Sequence, residues 1–202
     1  MSDIELANQR LAGLQEKISL LEDAVADTKS GQPIVRRRGA LNTASWSYSF
    51  IAGLERLKAL DRASYETKMQ PLVDTFLADA VISWWLDIRG EVIHDTPPRF
   101  KNRTQINQFG PKEMQELQTH APQGTKSIFF GDGLGGNGYE VETADGETTK
   151  VYFNLDPAIG SSSVNFPEAP NNRELPDLGK ELLDKSRSLL EKAASWVSSH
   201  TT

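Results

Sequence analysis

At 202 residues, with 38% apolar and 25% charged residues and four tryptophans, the composition excludes a disordered or fibrous chain. It suits one good-sized domain, or a helical domain with a small appendage. No cysteine is present, which excludes disulfides and thiolate zinc sites. A net charge of -6 excludes a surface that is basic throughout, so any nucleic-acid contact has to be a local patch.

Residues 4 to 28 read as a helix with its apolar positions on a heptad. Ile4, Leu11, Ile18 and Val25 occupy one site, and Ala7, Leu14 and Leu21 the other. A seam this narrow fits either one helix of an intramolecular bundle or a short dimeric coiled coil. The stretch KSGQPIVRRRG then breaks the helix and places Arg36, Arg37 and Arg38 in a loop. From about Thr43 to Leu60, Trp46, Phe50, Leu54 and Leu57 recur at three and four, which predicts a second amphipathic helix.

A third helical stretch is expected from Tyr65 to about Ile93, with Pro71 as its dividing point and Pro97 and Pro98 as its stop. Its predicted buried stripe is Val73, Leu77, Ala80, Trp84, Ile88 and Val92, and Trp84 and Trp85 read as core or near-core packing. From Arg99 to Thr125 the chain turns polar and reads mostly as loop, with a short helix at Pro111 to Thr119. KSIFFGD, GYEVETADGETTKVYFNLDP and SSVNF alternate apolar with polar residues around the turn signal Asp145-Gly146. They predict a small antiparallel sheet or hairpin. A last helix begins near Pro176 and carries Leu178, Leu182, Leu189, Leu190, Ala193 and Val197 on one side.

The expected fold class is therefore mainly α: a helical bundle with a small antiparallel β insertion near residues 126–166 and a C-terminal helix. The expected division is a bundle over 1–98, a basic and polar linker over 99–125, a small β insertion over 126–170 and a C-terminal helix over 171–202 packing on the bundle. The start MSDIELANQRL is polar and acidic, unlike a signal peptide, and no run approaches the roughly 18 apolar residues of a membrane span. A soluble, cytoplasmic chain without membrane contact is expected.

GDGLGG places Gly131, Gly133 and Gly136 at dinucleotide-binding spacing, but a pyrophosphate needs a helix N-terminus directly afterwards, and NGYEVETADG reads as strand and turn. The Gly-rich loop 131–138 is expected to shape a hairpin, and a small-ligand site on it is the weakest of the functional readings. His94, His120 and His200 lie far apart, so neither a metal site nor any other cofactor is expected. Arg89 and His94 remain: an Arg-x4-His pair at the end of a strongly apolar helix, with Arg99, Lys101 and Arg103 close behind. Such a grouping suits phosphate binding, which Arg36, Arg37 and Arg38 would extend into an RNA-binding face unless they form only a solvated loop. The alternative is structural, with Arg89 paired to a carboxylate and His94 capping the helix C-terminus.

The apolar helices leading into WWLDIRGEVIHD resemble HEPN-like domains, small α-helical bundles whose signature is an arginine followed after four to six residues by a histidine. The resemblance covers about residues 4 to 95 and the last helix, and leaves the β segment outside. It implies a metal-independent RNA endonuclease of a toxin or antiviral defence type. It also implies RNA as substrate, a homodimer in which two Arg/His pairs line one cleft, and a cognate antitoxin. By position, His94 would act on the ribose 2′-hydroxyl or the leaving oxygen, Arg89 would stabilise phosphate charge, and Asp95 would orient His94. Gly90 stands where catalytic members usually carry a polar residue. A glycine there costs about 1 kcal/mol in helix propensity relative to alanine and points to fraying or a close backbone approach. The competing class is a non-catalytic helical interaction protein in which Arg89 and His94 are structural.

Overall fold

The computed structural model describes residues 3–93, 101–166 and 169–199. Helix α1 (Asp3–Asp27) follows the heptad: Ala7, Leu14, Ile18, Leu21 and Val25 are buried, Leu11 packs at the margin, and Ile4 is exposed. That seam faces α2 and α7 of the same chain, so the intramolecular reading accounts for it.

Helix α2 (Pro33–Glu55) starts earlier than the periodicity from Thr43 suggests, and Arg36, Arg37 and Arg38 lie in its first turns instead of in a loop. Pro33 sits in the opening turn, where its missing N–H costs nothing. Gly39, which reads as a breaker, is a packing residue. A Cβ there would lie 2.7 Å from the Asp27 Cβ and 2.8 Å from the Ala24 carbonyl oxygen. Together with Ala40, Thr43, Ala44 and Ser47 it forms a small-residue face that lets α1 approach closely. The buried hydroxyls of Thr43 and Ser47 donate to the Gly39 and Ala44 carbonyls at 2.8 Å each, so this close contact strands no hydroxyl.

A 3-10 turn (Arg56–Ala59), a single turn α3 (Arg62–Ser64) and a π-helical turn (Tyr65–Met69) lead into α4 (Gln70–Leu77) and α5 (Ala80–Ile93). Pro71 does not divide the helix, because it falls in the first turn of α4. The division is at Asp79, whose carboxylate accepts the Val81 and Ile82 N–H groups at 3.0 and 3.3 Å and opens α5 as an N-cap. That restart resets the helical phase. The buried residues are Val73 and Phe76 in α4, then Val81, Ile82, Trp85 and Ile88 in α5. Ala80 is exposed and Trp84 only half-buried. The Val92 side chain lies outside the described residues.

The segment expected to be a linker contains a strand. β1 (Lys101–Ile106) pairs antiparallel with β5 (Gly160–Asn165) in a two-stranded sheet of its own. Its sequence KNRTQI is too polar to read as a strand, and its pairing with β5 gives it the form. α6 (Pro111–Thr119) forms as expected, with Glu113 accepting the Gly110 N–H at 2.9 Å. β2 (Thr125–Phe130), β3 (Asn137–Glu142) and β4 (Thr148–Tyr152) make a three-stranded antiparallel meander, turning at Asp145-Gly146. Helix α7 (Leu175–Ser198) runs back along α1 and buries Leu178, Leu182, Leu189, Ala193 and Val197. The chain is mainly helical, with two small antiparallel sheets and a long C-terminal helix packed on α1.

The two-stranded sheet is bound to the helices through their core. Val164 and Phe166, at the end of β5, belong to the same buried cluster as Trp85 and Leu175, and Phe166 meets Trp84 edge to face. Tyr139 of β3 donates its hydroxyl to the Leu117 carbonyl at 2.8 Å, fixing α6 to the three-stranded sheet.

Candidate functional site

Arg89 follows Ile88, which anchors α5 in the core, and so emerges at the edge of the α2–α5 contact. Its guanidinium carbon sits 3.5 Å from the ring centroid of Tyr48, a residue of α2 that is 45% exposed. Among the described residues no carboxylate pairs with Arg89; its partner is the Tyr48 ring. Stacking of this kind occupies the flat face of the guanidinium and leaves the N–H groups around its rim free to fork onto an oxyanion. Arg89 is half-buried, so part of that rim reaches solvent.

Gly90 departs from the close-approach expectation. No described atom lies within 4 Å of where its Cβ would be, and α5 continues through it to Ile93. His94, Asp95 and Arg99 lie outside the described residues, as does the side chain of Lys101.

The three arginines at the start of α2 separate. Arg36 is fully buried, which corrects its assignment to an RNA-binding face. Its Nε donates to Asn102 Oδ1 at 3.3 Å and one terminal nitrogen to the Ser30 carbonyl at 3.0 Å. The other terminal nitrogen donates to the Gly135 carbonyl. Burial pushes its pKa below the ordinary arginine value, and the nearby Asp132 charge opposes that shift. Arg37 is exposed, and Arg38 makes an exposed 3.3 Å ion pair with Asp27. Arg103 is exposed on β1, 3.5 Å from Glu174. Of the three arginines at the start of α2, Arg36 bonds to β1. It does so through Asn102, on the face opposite Arg103 by the two-residue period of a strand.

The Gly-rich loop is held by the same buried network. The Asp132 carboxylate accepts the Gly136 and Leu134 N–H groups at 2.9 and 3.2 Å, the Tyr152 hydroxyl at 2.8 Å and the Lys150 ammonium at 3.2 Å. Partial burial pushes Asp132 up, but these bonds outweigh it and hold the carboxyl below the usual range. The loop leads directly into β3 and not into a helix, so no pyrophosphate cradle forms. Its role is to join α2, β1 and β3.

Among the described residues no three of His, Asp and Glu come together in a group able to hold a metal ion, and no helix is long and apolar enough to cross a membrane. Sequence reasoning missed Tyr48. Its only signal is an aromatic residue among polar ones in SWSYSF, which gives no hint that α5 delivers an arginine to it.

Comparison with protein-family models, curated proteins and solved structures finds no match.

Proposed function

We propose that the chain is a metal-independent RNA endonuclease of a toxin or antiviral defence type, with Arg89 on the scissile phosphate and His94 as general acid/base. The supporting observation is the environment of Arg89: it is stacked on Tyr48, without a carboxylate partner among the described residues, and partly open to solvent. A guanidinium whose charge is already spent on a buried carboxylate binds phosphate weakly. One oriented by an aromatic face keeps its charge and its hydrogen-bonding rim.

In this reading His94 takes the proton from the ribose 2′-hydroxyl, whose oxygen attacks phosphorus as the bond to the 5′ oxygen breaks. A proton returned to that oxygen completes the step. The products are a 2′,3′-cyclic phosphate and a 5′-hydroxyl, and Arg89 stabilises the extra negative charge that develops on the phosphoryl oxygens. Imidazole suits the acid/base role because it titrates near neutral pH. A homodimer would place two such pairs in one cleft, and a cognate antitoxin would be its partner.

The stack also favours a second reading. Contact between Arg89 and Tyr48 fastens α5 to α2, which would suffice in a non-catalytic helical interaction protein. The experiment that separates the two is cleavage of varied RNA by purified protein in EDTA, comparing wild type with Arg89→Ala, Arg89→Lys and His94→Ala, each checked for folding by circular dichroism. The nuclease reading expects cyclic phosphate ends from wild type. It expects at least a hundredfold loss in His94→Ala and in Arg89→Ala, with partial retention in Arg89→Lys. Wild-type protein inert on all RNAs, or variants as active as wild type, would leave the interaction reading in place.

A further inference from the structure

A second group of cations lies away from Arg89, in a groove of about 370 Å³ between the N-terminal half of α1 and the C-terminal end of α2. Arg10, Lys17 and Arg56 line it with Leu6, Gln9, Gly13 and Gly53, and no acidic residue does so among the described residues. Three other grooves that contain a lysine also contain carboxylates, while one beside α6 holds a single cation, Lys126, and no carboxylate among the described residues. Lys126 faces Glu142 in one, and Lys29 shares another with Glu174 and Asp177. In a chain of net charge -6, three cations in one concavity without a counter-charge among the described residues are a specific feature.

The backbone brings them together. At Gly53 a Cβ would meet the Leu14 side chain at 2.7 Å and Lys17 Cδ at 3.7 Å, so the α2 backbone lies directly against side chains of α1, with the Lys17 stem beside Gly53. Lys17 Nζ donates to the Gly13 carbonyl at 3.0 Å, and Arg10 reaches across to the Arg56 carbonyl at 2.6 Å. Capping the end of α2 explains Arg10, but neither Lys17 nor the Arg56 side chain. Among the described residues none of the three cations has a carboxylate partner, whereas Lys58, two positions beyond Arg56, is paired with Glu55 at 2.7 Å. Each of the two anchored cations keeps donors beyond the single carbonyl that positions it.

We infer that this groove binds a small molecule carrying a phosphate or pyrophosphate group, with Arg10, Lys17 and Arg56 as its anion-binding residues. Three cations suit a multiply charged anion, either a phosphate monoester of about −2 at neutral pH or the more highly charged pyrophosphate. A volume of about 370 Å³ suits a small ligand, within the roughly 300–1,000 Å³ of typical small-molecule sites. The inference does not depend on the nuclease reading, because no residue of the groove belongs to the Arg89 site.

The test is isothermal titration calorimetry of the full chain with inorganic pyrophosphate and, separately, inorganic phosphate. Expected are saturable one-to-one pyrophosphate binding that weakens as salt rises, and a loss of about tenfold in affinity in Lys17→Gln and in Arg56→Gln. Both variants keep the backbone carbonyls that the helices use, and Lys58→Gln, which removes a cation already paired, should stay within about twofold of wild type. Absence of saturable binding to the folded protein, or binding unchanged in both groove variants, would overturn the assignment. So would a short single-stranded RNA that binds through Lys17 and Arg56 while pyrophosphate does not, since the groove would then belong to a polymer.

Discussion

Arg36 and Arg89 show how little the identity of a side chain says about its use. Both stand in segments that read as basic patches, yet one is fully buried and hydrogen-bonded to three neutral oxygens, and the other lies half-buried on an aromatic ring. Arg36 therefore matters to stability. Its replacement by alanine removes the donor from the Gly135 and Ser30 carbonyls and from Asn102, and opens a cavity between α2 and β1. Arg36→Ala is expected to destabilise the protein by about 2–4 kcal/mol in urea unfolding, against less than about 0.5 kcal/mol for the exposed Arg37→Ala. Equal effects from the two would mean that the buried network carries little of the fold. A run of three arginines contains no information that separates them, because the separation depends on which turn of α2 faces Asn102.

At the scale of elements, glycine and proline produced the main departures from the periodic pattern. Gly39 sits inside α2 because α1 requires the space of a missing Cβ, and Pro71 sits harmlessly in a first turn while Asp79 makes the real break. The helical glycines Gly39 and Gly90 should respond oppositely to alanine. Gly39→Ala gains about 1 kcal/mol of helix propensity but pushes a methyl group onto the Ala24 carbonyl and the Thr28 backbone, for a net loss of about 1–3 kcal/mol. Gly90→Ala meets no described atom within 4 Å and should stabilise by up to about 1 kcal/mol. Thermal melts of the two variants check the contrast, and a destabilising Gly90→Ala would show that α5 is constrained at that position. The strand β1 belongs to this scale as well. Its alternation is too polar to register, and it exists because β5 offers it an antiparallel edge from Lys101 to Ile106.

For the whole molecule, α7 ties the bundle together by charge as well as by its apolar face. Lys185 bonds Asp79 at the start of α5 and also Glu181, the latter at 2.6 Å; Glu181 also accepts Arg173, and Arg187 reaches Glu22 of α1 at 2.6 Å. The bonds from Lys185 and Arg173 hold Glu181 below the usual carboxylate range. Burial pushes Asp79 up, but Lys185 and the Val81 and Ile82 N–H groups bring it below its ordinary value. A carboxylate depressed in the folded state contributes stability that is fully present above its unfolded pKa, about 4, and is lost as pH falls through the lower folded value. Lys185 has the opposite sign: burial lowers it, its two carboxylate partners raise it further, and its contribution persists until pH rises through that raised pKa. The urea midpoint is thus expected to be flat near neutrality and to fall below about pH 4, with a shallower acid decline in Glu181→Gln. A variant that follows the wild-type acid limb would remove Glu181 from the cause. These groups are about a third exposed, so solvent screening keeps the effect to a part of the whole acid response.

Hydrophobic spacing and turn chemistry are local properties, and they sufficed for the mainly α class, the heptad of α1, the short helix at Pro111, the β2 to β4 meander and the apolar side of α7. The local sequence also ruled out a dinucleotide cradle, since Asn137 onwards could not open a helix. Tertiary structure decided what depends on residues far apart in the chain: the phase of α5 after Asp79, the strand at Lys101, and the burial of Arg36 beneath the Gly-rich loop. It also placed Tyr48 under Arg89 and joined Arg10, Lys17 and Arg56 around one groove. The reason is physical. A period of two or 3.6 residues is set by the backbone alone, whereas a polar side chain takes its role from whichever distant donor, acceptor or ring the packing of helices brings within reach.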